Sequence, residues 1–261
     1  MPRRIVIHAG FHKTGTSSVQ QTLRQNRPVL KPYLRSLLKG QMQPVISAAR
    51  GYSTWGDTLT LEKFRTRFQA LLADLDPMPR RALCLSAEEL AGHLPGRDGL
   101  HDYAAAPVLA ATMAEVAAEQ FPRAGITFLY TTRAGDAWLR SAYWEHVKSA
   151  SLTLDWAEYG TRYGDSADLD QIVDAVAAAQ PHPVHRSRIE QVSQDPAGPL
   201  LDLCGVPARV RNGLVQSPPL NVSGSDALLQ ALLDANRAYA DPVARAAAKQ
   251  AILRQAQEDP Q

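Results

Sequence analysis

The sequence predicts an α/β fold in three layers, a central parallel sheet covered by helices on both faces, and three observations lead to it. Short apolar or β-branched runs at Arg4 to His8, Ala82 to Ser86 and Ile126 to Thr132 are separated by longer stretches with helical periodicity, the pattern of strands joined by crossover helices. Each run ends in a polar cluster: a glycine-bounded loop around Lys13, the pair Glu88-Glu89, and Arg133. Ligands of parallel sheets bind beyond the carboxyl ends of the strands, so these distant clusters are expected at one site. The third observation is length, since 261 residues suit one large α/β domain spanning residues 1–261.

Composition narrows the class further. Formal charge is only +2, from 28 basic and 26 acidic side chains, so the broad positive field used by nucleic-acid binders is not expected. Cys84 and Cys204 lie in apolar contexts without Cys/His ligand spacing and are expected as buried free thiols. The opening MPRRIVIHAG is too short in apolar residues for a signal-peptide core, and no segment approaches the roughly 18 apolar residues of a membrane span. A soluble, cytoplasmic protein without a transmembrane segment is the expectation.

Taken in chain order, the strand Arg4 to His8 is followed by Ala9-Gly10, and Thr16-Ser17-Ser18 is expected to cap a helix running toward Pro28. Residues 30–57 carry scattered Gly, Pro and Tyr with weak periodicity and are expected as an irregular insertion bordering a substrate pocket. After the run ending in Glu88-Glu89, Ala104 to Phe121 is alanine-rich and helical. Residues 152–168 are expected as a second pocket-bordering insertion. Asp168 to Ala179 reads as a helix, Val184 to Ile189 as a late strand, and Pro199 to Cys204 as a helix stopped by Gly205 and Pro207. Residues 226–257 form a helical tail of two helices meeting near Asp241-Pro242, where proline favours a break.

The segment from Gly10 to Ser18 (GFHKTGTSS) follows a strand and opens a helix. Helix N-termini bind anions because unpaired N–H donors and the positive end of the helix dipole converge there. Lys13 adds a full charge, and Thr16, Ser17 and Ser18 add hydroxyl donors. The glycine separation is that of a Walker A loop, but Thr16 stands where its lysine follows the second glycine. That shift opposes a nucleotide kinase or NTPase, the alternative reading beside a non-catalytic nucleotide-binding protein. In YTTRAGDAWLRSAYWEHVK, Arg133 ends a strand and Ser141 lies roughly two helical turns further on, so both can reach one phosphate.

FHKTGTSSVQ resembles the 5′-phosphosulfate loop of sulfotransferases that use 3′-phosphoadenosine 5′-phosphosulfate (PAPS), particularly the bacterial branch with its His-Lys-Thr-Gly-Thr core. The spacing from Arg133 to Ser141 resembles that family's 3′-phosphate segment, with Ala134-Gly135 in place of Asn-Pro. The resemblance implies a P-loop-like fold and transfer of a sulfuryl group to a hydroxyl or amine of a carbohydrate, lipid head group or small molecule. It implies that Lys13, Thr14, Gly15, Thr16, Ser17 and Ser18 hold the 5′-phosphosulfate, that Arg133 and Ser141 hold the 3′-phosphate, and that Lys13 stabilises the bridging oxygen as the S–O bond breaks. The product would be 3′-phosphoadenosine 5′-phosphate (PAP), and no metal is required.

A base that removes the acceptor's proton eases such a transfer. The strand end LSAEE resembles the Ser-x-Glu strand end of bacterial relatives, which points first to Glu88, then Glu89. Adjacent strand positions face opposite sides, so the two share a role only if the strand has bent into a helix. His8, His12, His93, His101 and His146 are rival bases. Trp138, Tyr143, Trp144 and Trp156 surround the second anchor and suit either core packing or stacking on adenine. The family's late Arg-Lys-Gly loop is absent, leaving Arg209, Arg211 or the backbone of Asn221 to Ser225 as substitutes.

Overall fold

Alternation of the inward and outward sides of each strand organises the fold, described here from a computed structural model over residues 1–76, 78, 80–217 and 224–258. The chain runs β1 (Arg4–His8), α1 (Thr16–Gln25), α2 (Arg27–Leu30), β2 (Leu34–Leu38), α3 (Gln43–Trp55), α4 (Thr58–Ala73), β3 (Ala82–Ser86) and α5 (Ala105–Gln120). It continues with β4 (Gly125–Thr132), α6 (Gly135–Ser149), α7 (Trp156–Tyr163), α8 (Leu169–Ala179), β5 (Val184–Arg188), α9 (Gly198–Leu203), α10 (Ala208–Arg211), α11 (Asp226–Ala238) and α12 (Pro242–Glu258). The five strands form a parallel sheet in the order β2-β3-β1-β4-β5.

Successive side chains of the central strands enter different cores. Ile5 and Ile7 of β1, Leu83 and Leu85 of β3, and Phe128 and Tyr130 of β4 pack with α3, α4, α5, α6 and α8. Val6, Cys84 and Leu129 face the other way, against Val19 and Leu23 of α1 and Leu200 and Leu201 of α9. The molecule is therefore a three-layer α/β structure with both faces of the sheet covered, as all-parallel sheets require. Cys84 and Cys204 are free and buried in the second core.

β1 lies between β3 and β4, in register Ile7↔Leu85 and Ile7↔Phe128, so the segments that follow these three strands emerge side by side. The helix after β1 packs on one face, while α5 and α6, which follow β3 and β4, pack on the other. Connections leaving adjacent strands toward opposite faces open a crevice at their carboxyl ends. His8 ties that end together, its Nδ1 2.8 Å from Ser86 Oγ on β3 and its Nε2 3.1 Å from Thr131 Oγ1 on β4. Burial pushes this histidine down to about 4, which favours the uncharged imidazole, and both ring nitrogens are taken up in bridging the strands.

Residues 30–57 depart from the irregular insertion expected of them: they hold the edge strand β2 and the helix α3. Arg35 and Ser36 interrupt the apolar pattern, and β2 borders the sheet on one side only, so its periodicity is weak. Residues 152–168 also fold regularly, into α7 and a short 3₁₀ turn at Gly164–Ala167, with Leu152 and Leu154 packed against the core. Residues 58–73, for which the sequence raised no expectation, form α4, and the N-cap Asp57 accepts the Thr60 backbone N–H at 2.7 Å.

The helical tail breaks at Pro242 and clamps the C-terminal end of α6. Lys249 on α12 donates to the carbonyls of Val147 and Ala150, both at 2.6 Å, and to Asn236 Oδ1 at 3.0 Å. Those carbonyls are left without intrahelical partners at a helix C-terminus, so one buried ammonium fixes the helix that carries Ser141. Among the described residues no helix is long and apolar enough to cross a membrane.

Candidate functional site

A cavity of about 660 Å³ opens at the carboxyl ends of β3, β1 and β4. Lys13, Gly15, Thr16, Ser17 and Ser18 from the first loop line it, together with Glu88 and Glu89 from the segment after β3 and Arg133 and Ser141 from beyond β4. The polar clusters that the sequence separates by up to 128 residues thus share one wall-to-wall space.

The loop after β1 owes its shape to its backbone. Lys13 has φ 66° and Gly15 φ 92°, and a non-glycine residue held in the left-handed region points to a constraint imposed by the surroundings. The left-handed conformation favours glycine at Gly15, and an added methyl would also come within 2.6 Å of Ile189 Cδ1, the end of a side chain that would have to shift. Three contacts hold the loop from below: Trp138 Nε1 donates to His12 O at 2.8 Å, the His12 N–H donates to Tyr103 Oη at 3.2 Å, and Arg133 Nη1 donates to Lys13 O at 3.3 Å. Gly15, not a hydroxyl side chain, is the N-cap of α1. Thr16 Oγ1 is buried without a hydrogen-bond partner, leaving this hydroxyl uncommitted to the cap expected of it. The Thr14 side chain is buried, donates to Phe11 O at 2.6 Å and braces the turn, so what Thr14 can offer an anion is its backbone N–H.

From β4 onward, Arg133 ends the strand and α6 begins two residues later, with the Ala134 N–H donating to Glu190 Oε1 at 3.0 Å. Ser141, Glu145, Lys148 and Ser149 recur at helical spacing on the face of α6 turned to the cavity. Glu145 Oε2 meets Lys13 Nζ at 3.1 Å, and Arg97 lies 3.9 Å from Glu145 Oε1. Burial works to raise the pKa of Glu145, but the hydrogen bond from Ser149 and the charge of Lys13 outweigh it and bring it down to about 2. The residues from 152 to 168 do not contribute to this cavity.

After β3 the chain turns at once into a 3₁₀ segment, Glu88–Ala91, so Glu88 and Glu89 both face the cavity instead of opposite sides of a strand. Lys39, just past β2, meets Glu88 at 3.3 Å and also contacts Glu89, whose Oε1 accepts Arg50 Nη2 of α3 at 2.5 Å. Glu89 is fully buried. Burial opposes its charge, yet His12 and Lys39 hold its carboxyl below the usual range. His12, Glu88 and Glu89 bring possible ligand atoms within 4.8 Å of one another, but both carboxylates are already paired with Lys39 or Arg50. Lys39, Arg50, His93 and Arg97 complete the walls. His93 was among the histidines raised from the sequence; Lys39 and Arg50 carry no local signal beyond a charge just past a strand or on a helix and come from the segment expected to be irregular, and Arg97 lies in the loop after the 3₁₀ turn.

Other expected contributors lie elsewhere. Trp138, Tyr143 and Trp144 are buried in the core, and Trp156 lies at the surface with Arg140 5.3 Å above its ring. His146 is buried, with Nε2 2.7 Å from Pro95 O; His101 packs beside Tyr163. Arg211 pairs with Asp202 on the far side of the sheet, and Arg209 shares its short helix; neither lines the cavity. Of the backbone at 221–225 raised as a substitute anchor, residues 221–223 lie outside the described residues. No protein-family model matches the chain, and a search of curated proteins finds no match.

Proposed function

We propose that this chain is a PAPS-dependent sulfotransferase of the P-loop-like type. The observation that carries the reading is the meeting, in one cavity, of two separate anion anchors: the Lys13 loop at the end of β1 and the Arg133–Ser141 pair at the end of β4. A donor with phosphates at both its 5′ and 3′ positions uses both anchors; ATP or AMP uses one. The kinase alternative also asks for a carboxylate free to hold Mg²⁺, whereas Glu88, Glu89 and Glu145 each pair with a lysine or arginine.

In the proposed reaction the acceptor's hydroxyl oxygen attacks sulfur in line with the bridging oxygen. The new O–S bond forms as the S–O bond to the 5′-phosphate breaks, and that electron pair leaves on PAP. Lys13 and the first N–H groups of α1 stabilise the charge developing there, the place where preorganised donors lower a barrier most. The acceptor's proton passes to Glu88, the less buried of the two carboxylates, with 16% of its side chain exposed. Glu145, 3.1 Å from Lys13 Nζ, shares that ammonium with the donor.

Ligand-dependent thermal stability tests the reading, because a ligand that binds only the native state stabilises it in proportion to its affinity. PAP should raise the melting temperature well above the shift given by ATP or AMP at equal concentration. Equal shifts for PAP and AMP would remove the role of Arg133 and Ser141 and return the site to a general phosphate loop.

A further inference from the structure

Resting on the sulfotransferase reading, we infer that the acceptor is an uncharged, multiply hydroxylated molecule of the sugar or polyol class. The inference comes from how the charges beyond the donor anchors are matched. Six cations and three carboxylates are found among the described lining residues. With Lys13 and Arg133 assigned to the donor, Glu145 has Arg97 at 3.9 Å, and Glu88 and Glu89 share Lys39 and Arg50. Only Lys148 is left over, and it is exposed.

An acidic acceptor therefore finds no unmatched buried cation to offset its desolvation, and an ammonium finds no unmatched carboxylate. An aryl or lipid acceptor fares no better. Leu94 and Ile189 are the apolar side chains in the wall, and Ile189 is packed over Gly15 on the donor side. The rings nearest the loop, Phe11, Tyr103 and Trp138, are buried beneath it rather than lining the cavity. Beyond the donor anchors the wall offers paired carboxylates, guanidinium groups, ammonium groups and the polar imidazoles of His12 and His93, whose ring nitrogens, like the charged groups, bond to hydroxyls. Hydroxyl groups, each both donor and acceptor, can bond to either member of such a pair without upsetting its charge balance.

The test is a transfer assay on the full chain with saturating PAPS, reading PAP release. The panel contains neutral methyl glycosides of glucose, galactose, maltose and lactose, an anionic methyl glucuronide, a cationic methyl glucosaminide, and 4-methylphenol. The best neutral glycoside should exceed each of the other three by at least tenfold in kcat/KM. If the glucuronide, the glucosaminide or the phenol leads, or if PAP binds by calorimetry yet no neutral glycoside accepts, the acceptor assignment is overturned. Absence of PAP binding overturns the donor reading itself and this inference with it, so the two failures are told apart by the calorimetric titration.

Discussion

The loop after β1 and the turn after β3 leave adjacent strands and face the same cavity, yet they are held by different means. The first is shaped by backbone: left-handed Lys13 and Gly15, carbonyls capped by Trp138 and Arg133, and a buried Thr14 bracing the turn. The second is shaped by charge, with Glu88 and Glu89 drawn together by Lys39 from just past β2 and Arg50 from α3. A backbone-built loop can meet an anion without rearranging, which is what preorganised stabilisation of a developing charge requires. A charge-built turn holds the Glu89 carboxyl below its usual range, but its geometry depends on residues brought from elsewhere in the chain.

Removing the charge from the backbone-built side should have the largest effect. Lys13→Ala is expected to lower sulfuryl transfer by about 100- to 1,000-fold, the usual cost of losing one donor to a developing oxyanion, while leaving the fold intact because Lys13 is partly solvent-exposed and, among the described residues, its side chain bonds to Glu145 alone. Steady-state kinetics beside a denaturation curve would check both halves. Transfer within tenfold of wild type would mean that the helix N-terminus alone carries the anion.

On the charge-built side a smaller and differently placed effect is expected. Glu89→Gln leaves Lys39 and Arg50 without their shared carboxylate and a neutral amide fully buried in its place. Both cations keep substantial contact with water, at 37% and 40% exposed, so the loss should be only about 1–3 kcal/mol by urea denaturation. PAP affinity should stay within about threefold of wild type, since no donor anchor depends on Glu89. A large fall in PAP affinity would show that the two regions are one coupled unit, and the contrast between them would fail.

The same contrast explains what could be read from the sequence. Strands β1, β3 and β4 and the loop at Lys13 were legible because their signals are local: a β-branched run, a glycine, a cation, then a helix. The assembly of Lys13, Glu88, Arg133 and Ser141 around one cavity follows from parallel topology, which the alternation of strands and helices implies. β2 was not legible, since LRSLL interrupts its apolar pattern with Arg35 and Ser36, and with it went Lys39 and Arg50. Their roles are set by long-range pairing with Glu88 and Glu89, and no local pattern encodes that. For Thr14, only the fold shows that within this run of polar residues its hydroxyl is turned inward to Phe11.

The smallest effect belongs to the contact that joins the donor loop to α6. Glu145→Gln removes the partner of Lys13, a pair with 14% and 31% of the side chains exposed, and partly solvated ion pairs contribute roughly 0.2–1 kcal/mol. The sign with pH follows from Glu145 being held near 2 in the folded chain, below its ordinary value of 4.5. The stability it adds is fully present above pH 4.5 and is lost as the pH falls from there toward 2. Wild type and variant should therefore differ by a constant small amount at pH 6 to 8 and converge in acid. Binding should move the other way: freed of its carboxylate, Lys13 should take PAP about two- to fivefold more tightly at neutral pH, the equivalent of roughly 0.4–1 kcal/mol. Weaker PAP binding in the variant would mean that Glu145 orients Lys13 toward the donor instead of competing with it.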